Sequence, residues 1–387
     1  MSGHILYIRN FANKVNPSAY NLQEIGFGKA LVRIGYNCDI VYFNDENNTT
    51  TEVVYQVGDT ELRIIWMKGI KFLSNSIYIQ LLNSNYLNKY DFIITTEYNQ
   101  IMTYLLTLKY PNNLVLYHGP YKDNNNLLIR KIYDTFFLPR LIKKIKYIFV
   151  KSDMAKEYLL RKGFYNAEPI GVGLDCETLG NGQNKDIEID YKLRIIRNKK
   201  VLLYIGVLED RRNIIFLLKI FKRLLETDPD LYLIIVGDGK TEDTSRYWEY
   251  VYDHNIKNNI VHFSKIEQKN LWQIYEVSDL MIFPTQYDIF GMVLLESIFF
   301  QVPVVTSVNG GSSTLFENKE NGIVIDHFNE DTWVDEVNNL LQDTSKLERI
   351  KHQLYSNINN ITWDHIADKA LRKLMKDDVF EKSAASS

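Results

Sequence analysis

Cysteine is nearly absent from this 387-residue chain: Cys38 and Cys176 are the only two, far apart, with no CxxC and no neighbouring histidine. That excludes a disulfide framework and lends no support to a zinc site. No run of 18 apolar residues occurs, so no segment reads as a membrane-spanning helix. The first residues lack the basic and then long apolar pattern of a secretory leader and enter an apolar strand at once, HILYI over His4–Ile8. A cytoplasmic protein is therefore expected. Charge of either sign is not in large excess: the net value is −3, and no nucleic-acid recognition motif accompanies it, which argues against a nucleic-acid partner. What remains is 45% hydrophobic and 24% charged residues, the composition of a folded globular protein. The length exceeds what one core usually supports, so two domains are expected.

The small net charge hides an asymmetry. Residues 1–174 carry 20 basic against 14 acidic side chains, so this part is positive and the remainder negative. Much of the excess lies in Arg130–Lys151, where Arg130, Lys131, Arg140, Lys143, Lys144, Lys146 and Lys151 face one acid, Asp134, among aromatic and aliphatic residues. Such a stretch suits peripheral contact with an anionic membrane, or else is a solvated helix face.

Short apolar runs alternate with helical patterns along the whole chain. Strands are expected at His4–Ile8, Cys38–Tyr42, Phe92–Thr96, Leu114–Tyr117 and Tyr147–Val150, with a helix over Asn21–Ile34. A second series starts at Lys200 and runs through Leu231–Gly239, Ile260–Ser264, Leu280–Pro284, Pro303–Thr306 and Gly322–Asp326. Alternation of this kind predicts an α/β protein with two Rossmann-like, doubly wound sheets. The organisation expected is a first domain over 1–175, a linker and hinge over 176–198 where periodicity is weak, a second domain over 199–360, and a C-terminal helix with a frayed tail over 361–387 that packs back toward the first domain.

The densest chemistry sits in LMIFPTQYDIFGMVLLESIFFQVPVVTS, Leu280–Ser307, which reads strand, turn, helix, strand. Asp288 falls in the turn, and Glu296 lies eight positions on in an apolar helix. Ligands of such crossover units collect at the carboxyl ends of the strands. A carboxylate among Met292, Val293, Leu294, Leu295, Ile298 and Phe299 would cost several kcal/mol to bury without a hydrogen-bond partner.

The spacing Asp288, Phe290-Gly291, Glu296, followed by Val302-Pro303-Val304-Val305, resembles the Glu-x7-Glu element of retaining glycosyltransferases of the GT-B fold, in particular glycosyltransferase family 4. The likeness extends over nearly the whole chain and implies two Rossmann-like domains facing a cleft. It also implies roles. Glu296 would accept hydrogen bonds from the donor ribose and Asp288 would approach the transferred sugar. The backbone near Phe290, Gly291 and Met292 would face the diphosphate, as a helix N-terminus suits an anion. The family's strand-Gly-Arg-Leu element with a later lysine is matched by Gly206-Val207-Leu208 and Arg212. Arg212 would hold the pyrophosphate, its planar fork reaching oxygens in two directions, and Arg211 stands beside it to replace the cation lost at Val207. Gly237 in VGDG matches a strand-end glycine turn, Ile266 a nucleobase contact, and His118 in Tyr117-His118-Gly119-Pro120 a histidine near the reacting sugar.

The chain departs from the family in three places besides Val207. The glycine-rich loop after the first strand is replaced by NFANKVNPSAY, leaving Lys14 as the candidate there; Thr314 stands where a Gly-Gly-x-x-Glu turn has its acid; and Asp288 replaces a glutamate. No residue reads as a covalent nucleophile. The sole Asp-x-Asp, Asp228-Pro229-Asp230, has the composition of a turn, so neither a metal nor another cofactor is expected. The resemblance implies a metal-independent hexosyltransferase acting on a nucleotide-sugar, most readily a UDP-sugar. The acceptor would be a glycan, lipid-linked or protein-linked, in bacterial surface polysaccharide or glycoconjugate synthesis. Two other readings are a non-catalytic GT-B partner of an active transferase and a GT-B nucleotide-sugar epimerase. A phosphorylase would need a pyridoxal phosphate lysine and a longer chain.

Overall fold

The computed structural model describes residues 3–17, 22–109, 112–123, 126–179 and 185–384. The chain forms two compact units, one of Met1–Gly173 with Thr362–Ser387, the other of Leu174–Ile361.

In the first unit the strands are β1 (His4–Ile8), β2 (Asn37–Asn44), β3 (Thr50–Val57), β4 (Thr60–Lys68), β5 (Ile70–Phe72), β6 (Asn75–Ile77), β7 (Phe92–Thr96), β8 (Leu114–His118), β9 (Tyr147–Val150) and β10 (Ala167–Pro169). Eight of them form one sheet in the order β10-β9-β8-β7-β1-β2-β4-β3, while β5 and β6 pair as a separate hairpin. Only β3, at the edge, runs antiparallel to its neighbour. The central strands are uninterrupted apolar runs because helices cover both faces; Leu6, Ile8, Ile40, Val41, Leu116 and Val150 have no exposed surface. The β3–β4 hairpin, turning at Gly58-Asp59, the β5–β6 hairpin and the short β10 are absent from the expected strands.

A helix over Gln23–Arg33 packs against the C-terminal helix Trp363–Ala384. Trp363 is 2% exposed and meets Phe27 edge-on at 5.7 Å. Arg33 pairs with Asp364 at 2.8 Å and Lys373 with Glu168 at 2.8 Å. Residues 362 onward thus complete the first unit rather than the second; the last three residues of the expected frayed tail lie outside the described residues.

The second unit holds β11 (Val201–Ile205), β12 (Tyr232–Val236), β13 (Ile260–Phe263), β14 (Leu280–Phe283), β15 (Val304–Ser307) and β16 (Ile323–Ile325). Their order is β13-β12-β11-β14-β15-β16, and every pairing is parallel. The strand series therefore runs outward from β11 on one side and from β14 on the other.

The expected linker over 176–198 needs correction. Residues 180–184 lie outside the described residues, but 185–198 belong to the second unit. Asp186 caps a helix over Ile187–Leu193 by accepting from the amides of Glu188 and Ile189, and Ile189, Leu193 and Ile196 are buried. Those three positions form a helical stripe that the surrounding charges obscure in the sequence.

Candidate active site

All six strands of the second unit point their carboxyl ends to one edge, and β11 and β14 are the neighbours at which the winding reverses. A crevice at that point is where doubly wound sheets bind ligands. The loop after β11 supplies Gly206 to Arg212, and the loop after β14 supplies Thr285 to Gly291.

Backbone contacts hold these loops close. Gln286 donates its amide to the carbonyl of Arg211 at 2.8 Å, and the Thr285 hydroxyl reaches the same oxygen at 3.2 Å. Leu208 donates to Asp238 at 2.9 Å. The approach is so tight that a Cβ on Gly237 would stand 1.9 Å from the Gly206 carbonyl oxygen, and one on Gly311 would stand 1.7 Å from that of Phe290. Glycine is required at both places because any side chain would displace backbone. After β15, the fully buried Asn309 accepts from the amides of Gly311 and Ser312 and donates to the Ser307 carbonyl at 2.8 Å. Ser307 in turn donates to Thr285 at 2.5 Å. The rim is thus a backbone frame stitched from four loops.

Arg212 and Asp288 project from this frame and are brought together. Arg212 ends a short turn, Asp210–Arg212, and its Nη1 donates to Asp288 Oδ2. The two side chains are 13% and 15% exposed. The guanidinium also lies over Phe283 at 5.5 Å from the ring centre, and its buried Nε makes no hydrogen bond among the described residues, its ion pair with Glu209 being a long one at 4.0 Å. An arginine in a half-closed site with a donor left over is suited to receive an anionic oxygen. Asp288 Oδ1 accepts from the Phe290 amide at 3.3 Å. Phe290 is buried, Gly291 is left-handed at φ 76°, and the helix Met292–Phe299 begins directly behind it.

Arg211 has partners inside the protein. Its guanidinium donates to the Tyr287 carbonyl at 3.0 Å and pairs with Glu209 at 2.5 Å. In this arrangement it braces the two loops, and the position of the missing cation is filled by Val207, 51% exposed.

Glu296 has no exposed surface. The partner demanded by its apolar helix is Tyr275, whose hydroxyl donates to Glu296 Oε2 at 2.9 Å and whose ring stacks on Phe300 at 4.7 Å. Burial pushes the Glu296 carboxyl well above the usual carboxylate range. Tyr275 is a site residue that the sequence reading did not identify: it sits 21 positions upstream in a helix of ordinary composition. Ile266 is half-buried in the loop after β13, and Gly237 is tied to that strand by donating to Phe263 at 2.8 Å. Thr314, standing for the missing acid, donates to Gly310 at 3.3 Å. Asp228 and Asp230 precede β12 at the opposite edge, each paired with a lysine, Lys200 and Lys199.

His118 belongs to the first unit, at the end of β8, and is 1% exposed. Its Nδ1 lies 2.6 Å from Glu97 Oε2, and its ring is enclosed by Tyr98 and Tyr158 at 5.4 and 5.9 Å. Glu97 is itself buried, left-handed at φ 58°, and accepts from the Gly119 amide at 3.2 Å. Burial alone would raise its carboxyl, but the charge and hydrogen bond of His118 outweigh it and hold Glu97 below the usual range. Lys14 is exposed and paired with Asp45 at 3.1 Å.

Residues 185–356 match the family described as Glycosyl transferases group 1. Among curated relatives, an uncharacterized glycosyltransferase of Methanocaldococcus jannaschii is 26% identical over 45% of this chain and 44% of its own length. A D-inositol 3-phosphate glycosyltransferase of Corynebacterium diphtheriae is 25% identical over 53% of this chain and 50% of its own. The chain spans about half the length of the curated relatives it matches. Among solved structures, Anabaena HepE in complex with UDP and glucose superposes with a TM-score of 0.69 at 13% identity, covering 96% of this chain and 99% of that one. Sucrose-phosphate synthase from Thermosynechococcus elongatus gives 0.71 at 16% identity over the whole of both chains. The chain therefore has the α/β fold of the GT-B glycosyltransferases, and residues 185–356, which contain Arg212, Asp288 and Glu296, are a glycosyl transferases group 1 domain.

Proposed function

We propose that this protein is a retaining, metal-independent glycosyltransferase that moves a hexose from a nucleotide-sugar to a glycan, lipid-linked or protein-linked acceptor in surface polysaccharide or glycoconjugate assembly. The observation that carries the reading is the placement of Arg212 and Asp288 at the switch point between β11 and β14, with no hydrogen bond made by Arg212 Nε among the described residues. Transfer breaks the bond between the sugar and the diphosphate, so negative charge grows on the leaving oxygens. Arg212 and the amino end of the Met292–Phe299 helix are the groups to stabilise it. Asp288 orients the guanidinium and stands next to the place the sugar would occupy. UDP is the nucleotide to expect, since HepE, one of the structural neighbours, holds it.

The reading is tested by thermal stabilisation of the purified protein with UDP, GDP, ADP, CMP and dTDP, repeated on Arg212→Ala. Stabilisation by UDP that disappears in the variant supports the donor site, whose loss should cost about 2.7 to 4 kcal/mol of transition-state stabilisation in turnover. Equal stabilisation of both proteins would overturn the role of Arg212. No response to any nucleotide would favour a non-catalytic partner subunit, a reading motivated by Val207 in place of a cation and by the closed burial of Glu296.

A further inference from the structure

The helix Leu127–Phe136 in the first unit is amphipathic the wrong way round for a solvated surface. Its inner side is polar. Arg130 pairs with Asp123 and, at 3.4 Å, with Asp134; Lys162 reaches Asp134 at 2.5 Å; and Tyr158 donates to Asp123 at 2.5 Å. Tyr133 donates to the Tyr98 carbonyl at 2.9 Å. Its outer side is apolar: Leu128, Ile129, Ile132 and Phe136 are 71%, 48%, 50% and 73% exposed. Positions 128, 132 and 136 follow one another at four-residue spacing, so they form a single stripe.

The ion network fixes this rotation. Turning the stripe inward would break the pairs of Arg130 and Asp134, and breaking such half-buried pairs by separating the partners is strongly unfavourable. The helix is therefore held with large apolar side chains facing out, a pattern that marks an interaction surface.

The chemistry around the stripe selects the partner. Lys131 is exposed on the same helix, and Lys143 and Lys144 are exposed at the end of the adjoining helix Leu138–Lys144. Beyond them, Lys143, Lys144 and Lys146 line a depression of about 470 Å³ beside Tyr165, which is 83% exposed. Across residues 127–146 the one acid, Asp134, is consumed in the inner network. We propose that this face docks on an anionic lipid bilayer, with Leu128, Ile132 and Phe136 entering the interfacial region and the lysines meeting headgroup phosphates. A second copy of the chain is a poorer occupant, because two-fold pairing would set the same lysines against each other.

The surface overlaps the basic stretch delimited from sequence without coinciding with it. Arg130 is turned inward, and Lys151 lies over the Tyr117 ring at 5.2 Å, whereas Leu128 and Ile129, outside that stretch, are part of it. The inference does not depend on the donor site, since vesicle binding needs no nucleotide.

The test is co-sedimentation of the full chain with vesicles of equal parts phosphatidylglycerol and phosphatidylcholine, and with phosphatidylcholine alone. Two variants accompany it: Leu128→Ser/Ile132→Ser/Phe136→Ser, and Lys131→Gln/Lys143→Gln/Lys144→Gln. Both change exposed positions, and unchanged melting with and without UDP checks that fold and donor site are intact. Binding to the anionic vesicles should fall at least about tenfold in the apolar variant and about a hundredfold in the lysine variant, and phosphatidylcholine alone should bind weakly. Absence of wild-type binding, or binding by either variant equal to that of the wild type, would overturn the proposal. So would a concentration-dependent dimer that the apolar variant abolishes without any vesicle binding.

Discussion

Replacing Glu296 by glutamine tests whether the buried carboxyl is held neutral. In the folded protein burial lifts its pKa well above the usual range, whereas in the unfolded chain it titrates near its ordinary value, about 4.3. The folded state therefore binds one more proton than the unfolded state at every pH between those two values. Stability then falls as pH rises through that window, by about 1.4 kcal/mol per pH unit. It is fully present only below the unfolded pKa. For a unit the size of the second one this is about 3 to 5 °C of melting temperature per pH unit. Glu296→Gln keeps the shape and the acceptor for the Tyr275 hydroxyl but has no proton to lose. Melting of the two proteins between pH 5.5 and 7.5, subtracted one from the other, cancels every other titrating group. The difference should slope by up to that amount, with the wild type losing ground to the variant as pH rises. Parallel curves would show that Glu296 is ionised in the folded protein, and the burial argument would fail. The result also bears on nucleotide binding, because a neutral carboxyl can still accept from a ribose hydroxyl but must first be reached.

The first unit carries two further tests. Asp39 has no exposed surface and accepts from Arg63 at 2.7 and 3.0 Å and from Tyr90 at 2.6 Å; Asp39→Ala should destabilise this unit by about 3 to 5 kcal/mol in urea unfolding, since the partners are left without their anion, and a loss under 1 kcal/mol would refute the pairing. Glu97 shows the opposite sign to Glu296: its folded pKa is depressed by His118, so its contribution is present above the unfolded pKa and lost as pH falls below it. Glu97→Gln should accordingly lose less stability than wild type on acidification from pH 5 to 3, measured by circular dichroism, and a larger loss would contradict the assignment.

The parallel sheets were legible because strands covered on both faces are uninterrupted apolar runs, as in VLLYI of β11 and LMIF of β14. The switch-point loops were legible too, since Gly206, Gly237 and Gly291 mark where backbone must come close or turn left-handed. Pairings across long sequence distances were not. Nothing near Tyr275 announces that it will donate to Glu296, nor anything near Glu97 that it will meet His118, because each contact is created by elements that meet in space rather than by neighbouring residues. The helix Leu127–Phe136 shows a related limit: periodicity reveals a stripe, but which side is covered depends on the charges with which Arg130 and Asp134 pair. The edge hairpin β3–β4 was missed although Gly58-Asp59 is a recognisable turn, since its exposed strand lacks the burial that gives the other strands their pattern.

The return of the chain to the first unit at Thr362 has a consequence for the order of events during synthesis. Residues 174–361 are contiguous and can close their own core as soon as they emerge from the ribosome. The first unit, although made earlier, waits for its last helix, because Trp363 fills the space over Gly26 and Phe27. Until then an apolar hollow stands open on a nearly finished domain, and the whole of the other unit is translated while it does. Contacts spanning more than 330 residues, such as Arg33 with Asp364, are the last to form, so a destabilised second unit would delay the first even where the two share no side-chain contact.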